Sequence, residues 1–405
     1  MKRRLLPILM TLVLVCALPI WAAFVTSGDV TNPLVSTAWA TLPDLQAKID
    51  AAADNATITL DSNTEIAATL QITKNLTLDL NGCTLRMTGT GSVLKVSGRA
   101  TLTITDSSAA KSGTITGGNA EYGGGVYVDD YAALKMTGGC ITGCHASRGG
   151  GGIYSSGNLY MGGTAKIEKC TGSDDAIWNR ENSDIYADGG TVDGTVNNQG
   201  TIKRSEGAAA VTVFNGTVYN RSAGTIIAGI YNGTVENNGT ISGGTFCGGV
   251  TIRKGSWVWE RTGSISGGTF YSSIVNEAGP ERVTGVTFAV TFDRGDGTKT
   301  EPTPVKYNDL VPKPTAPTKS GYTFTGWEDA NGAYDFNTPV TGPLTLTAKW
   351  EKVPSSGGNY YYHPTTDTKA DDAKGSPKTA DPGVALYAAL SLLSLTGLTC
   401  ATKKR

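Results

Sequence analysis

The chain has 405 residues, which is long enough for two or more domains. It contains 53 Gly and only 2 His, and its formal net charge is −1. This balance gives no electrostatic reason to expect nucleic acid or an anionic membrane surface as a partner. Two of the 7 Cys, Cys16 and Cys400, lie in apolar terminal segments, and the irregular spacing of the others does not indicate a disulfide framework.

Residues 1–25 have the pattern of a secretory signal peptide. Residues 1–4 are basic, and residues 5–25 are almost entirely apolar. Cleavage after Ala22 or Ala23 would leave the mature chain outside the cell. A retained membrane anchor is the alternative, because the apolar run is close to the length that spans a bilayer.

Residues 42–53 predict a short amphipathic helix. Pro43 suits its first turn, and Leu45, Ile49 and Ala52 form one apolar face. We expect this helix to cover the open end of the solenoid described next, where a strand edge would otherwise be exposed.

Residues 124–170 contain one structural unit twice. Each copy opens on a Gly-Gly-aliphatic-Tyr sequence, and its apolar residues alternate between glycine corners. The matching positions lie 25 to 27 residues apart: Gly124 and Gly151, Val126 and Ile153, Leu134 and Leu159, Met136 and Met161, Ile141 and Ile167, Cys144 and Cys170. Such a period is typical of a solenoid coil. The sequence therefore predicts an all-β fold, with a right-handed parallel β-helix solenoid over residues 39–288.

Beyond residue 170 the repeat changes. Residues 194–202 recur 39 positions later as residues 233–241, and residues 243–246 recur 24 positions later as residues 267–270. We expect thinner coils here, with one strand pair per glycine turn and ladders of Thr or Asn side chains. The region 39–288 is similar to the pectate-lyase-like β-helix proteins of bacterial surfaces. The resemblance rests on the repeat pattern, so it implies a fold and not an activity.

Residues 289–352 form a separate unit, predicted to be a small β-rich repeat module. It contains the sequence Gly321-Tyr322-Thr323-Phe324-Thr325-Gly326-Trp327 and ends at a strand-like run through Trp350. This unit resembles an internalin-type B repeat (the Listeria–Bacteroides repeat), which in that family is a module of surface proteins. We expect five aromatic residues to form its core rather than a ligand platform: Phe292, Tyr322, Phe324, Trp327 and Trp350.

The C-terminal part predicts a spacer and an anchor. Residues 353–375 lack apolar periodicity and read as a disordered spacer. Residues 376–405 contain a short polar motif, an apolar run long enough to span a membrane as a helix, and the basic end 403–405. This order resembles the cell-wall sorting signal of Gram-positive surface proteins. A plain membrane-anchoring tail is the alternative.

The resemblance implies the residues that a sortase would recognise: Ser376, Pro377, Lys378, Thr379 and Ala380. The enzyme would cleave between Thr379 and Ala380 and join the Thr379 carbonyl to peptidoglycan. Ser376 stands where the family usually has Leu, and Ala380 where it has Gly, which indicates a variant sortase class.

Enzymes that act on polysaccharides with this fold use carboxylates, sometimes with calcium and a Lys or Arg base. Paired carboxylates suit glycoside hydrolysis, and clustered carboxylates suit calcium. The candidates flank the duplicated coils: Asp129, Asp130, Arg148, Asp174, Asp175, Glu181, Asp184 and Asp188. Asp129 and Asp130 make a poor pair, because neighbours on a strand point to opposite faces.

A zinc site is the other candidate. His145 lies near Cys140, Cys144 and Cys170, but the fourth ligand is unclear, so core thiols are favoured and no metal or cofactor is expected.

Two functions follow from these patterns. The first is a non-catalytic adhesin: an extracellular, wall-anchored or membrane-anchored protein whose partners are sortase, peptidoglycan and a host or community glycan or protein. The second is a wall-anchored polysaccharide lyase or glycoside hydrolase. Carboxylates gathered with a basic residue on one exposed face would favour the enzyme.

Overall fold

The structure, a computed structural model, describes residues 45–172, 175–255 and 262–354. In these ranges the chain forms 36 strands, one short α-helix and one 3-10 helix. The expected all-β class is confirmed, with a parallel β-helix followed by a small β-rich module.

The hydrophobic helices expected within residues 1–25 and 376–405 lie outside the described residues, as do residues 355–375 of the expected spacer. Within the ranges that the structure describes, no helix is long and apolar enough to cross a membrane.

The solenoid is built from short strands. In its first half these are β1 (Ala56–Thr59), β2 (Thr64–Ile66), β3 (Leu70–Ile72), β4 (Leu76–Asp79), β5 (Thr84–Met87), β6 (Leu94–Val96), β7 (Thr101–Thr105), β8 (Thr114–Thr116), β9 (Asn119–Tyr122), β10 (Val126–Val128), β11 (Ala133–Met136), β12 (Cys140–Thr142), β13 (His145–Gly149), β14 (Ile153–Ser155), β15 (Asn158–Glu168) and β16 (Thr171–Gly172). In its second half they are β17 (Ile177–Asn179), β18 (Asp184–Asp193), β19 (Val196–Asn198), β20 (Thr201–Lys203), β21 (Val213–Phe214), β22 (Val218–Asn220), β23 (Thr225–Ile226), β24 (Ile230–Tyr231), β25 (Val235–Asn237), β26 (Thr240–Ile241), β27 (Thr245–Phe246), β28 (Val250–Ile252), β29 (Ser264–Ile265), β30 (Thr269–Phe270) and β31 (Ile274–Asn276).

The strands stack into three parallel faces. The first face is the ten-stranded sheet β3-β6-β10-β14-β17-β19-β22-β25-β28-β31. The second face follows the column β1-β4-β7-β11-β15-β18-β20-β23-β26-β29, and the third follows β2-β5-β8-β12-β15-β18-β21-β24-β27-β30. The second and third faces join because β15 and β18 are long enough to belong to both. A small sheet of β9, β13 and β16 lies beside these faces.

The register expected for the duplicated coils is confirmed. Val126 pairs with Ile153, Leu134 with Leu159 and Met136 with Met161. All six side chains are fully buried. Alternation along each strand directs them inward and directs their neighbours outward, where Tyr154 is covered by the Tyr127 and Trp178 rings, so the register is set by the apolar pattern.

The expectation of one strand pair per coil beyond residue 170 is wrong. The copies at residues 194–202 and 233–241 are not adjacent, because β22 lies between them: Val196 pairs with Val218, which pairs with Val235. Each of these coils keeps three strands, some only two residues long. Two residues are enough to place one side chain in the core and one at the surface.

Two internal ladders fill the later coils. Phe214, Tyr231, Phe246 and Phe270 stack with successive ring centroids 5.0, 4.9 and 4.7 Å apart. Asn179, Asn198, Asn220 and Asn237 are fully buried, and each Nδ2 donates to the Oδ1 of the next at 2.8, 2.8 and 2.7 Å. The hydrogen bonds of the Asn ladder satisfy side-chain amides that would be costly to bury without partners. The expected Asn ladder therefore lies inside the solenoid.

The helix α1 (Leu45–Ala51) covers the N-terminal end of the solenoid, as expected. Leu45 and Ile49 are buried against the first coil. The Gln46 side chain accepts from the backbone N–H of Gln71 at 2.8 Å and donates to its carbonyl at 3.1 Å. Gln46 thus satisfies backbone groups of β3, which is the end strand of its sheet within the described residues.

The C-terminal module is a five-stranded sheet in the order β33-β32-β36-β34-β35. Its strands are β32 (Thr287–Asp293), β33 (Thr303–Lys306), β34 (Tyr322–Asp329), β35 (Gly332–Ala333) and β36 (Leu344–Lys352), preceded by the 3-10 helix η1 (Pro280–Arg282). It touches the last coil, where the Ile274 N–H donates to the Thr341 carbonyl at 2.8 Å. The Phe288 ring also meets the end of the aromatic stack, with its centroid 6.4 Å from that of Phe270.

Four of the five expected aromatic residues form the core of this module. Phe292 and Trp327 are buried with centroids 4.9 Å apart, and Phe324 and Trp350 pack beside them. Tyr322 departs from the expectation, because it is 40% exposed with the Lys319 ammonium 4.7 Å from its ring centroid.

Candidate functional site

Most of the charged candidates are held by partners within the solenoid. Asp184 forms a salt bridge with Lys203 at 2.6 Å, and Asp129 lies 4.0 Å from Lys95. Asp188 accepts from the backbone N–H and hydroxyl of Ser205 at 2.8 and 2.6 Å. Asp184 and Asp188 lie on one strand, β18, and Asp129 lies in a turn, and each of the three carboxylates is engaged by a different partner.

Two further candidates also have structural roles, and one is not described. The Arg148 Nε lies 2.8 Å from a Glu121 carboxylate oxygen, and this ion pair is well exposed. Asp175 is 3% exposed, and its carbonyl accepts the N–H of Gly151 at 2.7 Å. Asp174 lies outside the described residues.

The remaining two candidates, Asp130 and Glu181, line one recess, which we call the notch. The turns from the first to the second face contain four residues at 129–132, two at 156–157 and four at 180–183. Since these turns belong to successive coils, the short middle turn leaves a gap between two longer ones. The gap has a volume of about 380 Å³.

The notch gathers charges of both signs. Its lining residues are Asp130, Tyr131, Ala132, Ser156, Gly157, Asn158, Arg180, Glu181 and Asn182. Asp130, Arg180 and Glu181 are exposed, and none of them forms a salt bridge within the part of the chain that the structure describes. The notch is therefore the place where the structure brings two predicted carboxylates near a basic residue.

Tyrosine pairs flank the notch on both faces. On the first face, Tyr127 stacks with Tyr154 at a centroid distance of 5.1 Å. On the second face, Tyr160 stacks with Tyr186 at 4.2 Å. Burial is the main cause that raises the pKa of Tyr127, and the neighbouring Tyr154 and the nearby aspartates raise it further. Its hydroxyl therefore remains a hydrogen-bond donor at neutral pH.

Sequence reasoning missed Arg180 and Tyr131, although both line the notch. Tyr131 is 82% exposed and has a φ of 62°, a left-handed conformation that is unusual for a bulky side chain. The signal in the sequence that could have indicated the notch is the short turn at 156–157 between the longer turns at 129–132 and 180–183. This difference becomes visible only when the three coils are aligned.

The cysteines near His145 are core or strand thiols. The thiols of Cys83, Cys140, Cys144 and Cys170 are free, and Cys144 and Cys170 form no disulfide. A hydrogen bond with Cys170, together with burial, raises the pKa of Cys144 far above the usual thiol range, and burial raises that of Cys140 to about 11. No cluster of potential metal ligands occurs in the described ranges.

The predicted sortase recognition residues all lie outside the described residues: Ser376, Pro377, Lys378, Thr379 and Ala380. Their role remains a prediction from the sequence.

Comparison with known proteins gives a family match within the C-terminal module and matches between part of the chain and parts of two other proteins. Internalin H of Listeria monocytogenes serovar 1/2a (strain ATCC BAA-679 / EGD-e) is 36% identical over 95 residues, which cover 22% of this chain and 16% of that protein. A putative Gly-rich membrane protein of Evansella cellulosilytica is 35% identical over 68 residues, covering 16% and 8%. The chain thus spans only a small part of each relative's length, and no solved structure matches it. Residues 288–349 match the Listeria-Bacteroides repeat domain.

Proposed function

We propose that this protein is a non-catalytic adhesin on the outside of a cell, which binds a glycan or a matrix protein through the side of its solenoid. The observation that carries this proposal is the contrast among the charged candidates. The charges of Arg148, Asp184 and Asp188 are engaged within the protein, whereas those at the notch are left available for a ligand.

The C-terminal module supports the location. The Listeria-Bacteroides repeat match and the similarity to internalin H agree with a module of surface proteins. In this proposal residues 1–25 direct secretion, and sortase joins the Thr379 carbonyl to peptidoglycan. The spacer at residues 353–375 then separates the folded part from the wall.

The second candidate function is a polysaccharide lyase or glycoside hydrolase. It is favoured by one observation, the presence of Asp130, Arg180 and Glu181 around one recess. Two carboxylates and a base in one recess are a minimal set for cleaving a glycosidic linkage.

One experiment separates the two functions. The full chain, purified in detergent, is incubated with immobilised oligosaccharides and matrix proteins, and the supernatant is analysed for shortened saccharides by mass spectrometry. We expect binding without product release. Product release that is lost in Glu181→Gln would establish the enzyme instead, and absence of binding to both kinds of probe would refute the adhesin.

A further inference from the structure

We propose that the notch binds a single sugar ring of a neutral glycan, with Tyr131 as its stacking platform. This inference rests on the proposed function and specifies its ligand and its site. It depends on three features of the notch: the position of an aromatic ring, the size of the gap and the arrangement of polar groups.

The ring of Tyr131 is held at the surface in a backbone conformation that disfavours it. Its φ is 62°, and its side chain is 82% exposed. The corresponding position two coils later is Asn182, with a φ of 67° and a side chain that tolerates this region. The equivalent position of the preceding coil, Arg99, has a φ of 67°, so the left-handed conformation belongs to this turn, and the exposed Tyr131 ring contributes little to the core and is available to contact a ligand.

The position of the Tyr131 ring is also restricted from one side. The Arg99 guanidinium, which belongs to the preceding coil, lies 5.8 Å from the ring centroid. The notch lies on the side of the following coils, at residues 156–158 and 180–182. Tyr131 can therefore present its ring to the notch while Arg99 supports it from behind.

The gap suits one ring. Parallel strands are about 4.8 Å apart, so the two long turns that flank the short one are separated by about twice that distance. Gly157 forms the floor, where an added Cβ would lie 2.0 Å from the Ala132 carbonyl oxygen. The volume of about 380 Å³ is at the small end of ligand sites.

The polar groups match hydroxyls. Asp130 and Glu181 offer acceptors, Arg180 offers donors, and the amides of Asn158 and Asn182 offer both. Two carboxylates and one guanidinium leave the notch with a net negative charge, which disfavours an acidic sugar. The aromatic face and the paired donors and acceptors together indicate a neutral pyranose, since its ring has an apolar face and a polar rim.

The test compares two tyrosine variants of the full chain on an array of neutral, acidic and amino-sugar oligosaccharides. Tyr131→Asn removes the ring but keeps a residue suited to the left-handed backbone, so folding should be retained. Tyr271→Asn is the matched control, because Tyr271 is 58% exposed in the last coils, away from the notch. Thermal unfolding of each variant checks that the solenoid is intact.

We expect the wild type and Tyr271→Asn to bind neutral oligosaccharides alike, and Tyr131→Asn to bind them at least about tenfold more weakly. Glu181→Gln should also weaken binding. Unchanged binding by a folded Tyr131→Asn would overturn the notch while leaving the adhesin function standing. Wild-type binding restricted to acidic or amino sugars would overturn the neutral-sugar assignment. Failure of the wild type to bind any oligosaccharide on the array would overturn the sugar assignment, and its failure to bind immobilised matrix proteins as well would refute the proposed function itself.

Discussion

Adjacent residues of β11 should respond in opposite ways to the same substitution. Leu134 is fully buried between Leu102 and Leu159 of the neighbouring coils, whereas Lys135 is exposed on the outer surface of the same strand. Leu134→Asp and Lys135→Asp therefore introduce the same carboxylate one residue apart, on opposite sides of the sheet.

The expected magnitudes differ widely. Truncating a buried Leu costs about 2–5 kcal/mol in free energy of unfolding. Burying an unpaired carboxylate adds a desolvation cost of several kcal/mol, which is partly avoided if the carboxyl group protonates. The total approaches the stability of a whole domain, about 5–15 kcal/mol. Lys135→Asp should change the stability by about 0.5 kcal/mol or less, as expected for a surface position.

Thermal unfolding of the full chain in detergent, followed by far-ultraviolet circular dichroism, measures both effects. Leu134→Met is the conservative control and should cost less than about 1.5 kcal/mol. If Leu134→Asp melts like the wild type, or if Lys135→Asp is equally destabilising, the coil register and the inward position of Leu134 are wrong.

Three further outcomes are expected. Mass spectrometry of unreduced protein, alkylated after unfolding, should find Cys144 and Cys170 as free thiols, and a cross-linked peptide joining them would contradict the structure. Burial alone would raise the pKa of Asp106, but hydrogen bonds from groups that include the Gly113 N–H outweigh it and hold the folded-state pKa below the ordinary value. Because the unfolded value is about 3.9, this stabilisation is complete at higher pH and is lost as the pH falls through the folded-state pKa. Asp106→Asn should therefore be less stable at neutral pH and lose less stability on acidification, and identical acid dependence in both proteins would argue against it. Thr379→Ala should keep the protein extractable from membranes by detergent, whereas wild-type protein should require a wall hydrolase. Wild-type protein released by detergent alone, with its tail still attached, would favour the plain membrane anchor.

The sequence by itself determined the solenoid and its register where apolar alternation was strict. Leu134 and Leu159 were paired correctly because a shift of one residue would expose every core side chain. The helix Leu45–Ala51 was also predictable, since its apolar face requires a partner. In the later coils the strands shrink to two residues, so the coil of Val218 was missed and only the structure reveals its place.

The notch was decided by the tertiary structure. Asp130 and Glu181 were among the candidates, but about fifty positions separate them in the chain, and their proximity depends on the stacking of three coils. Turn lengths in single coils carry no meaning alone, because a recess exists only where a short turn lies between two longer ones. The same is true of Tyr131, whose exposure and left-handed backbone arise from its turn position rather than from its residue type. Local alternation therefore determines the core, whereas differences between stacked coils determine the surface that a ligand meets.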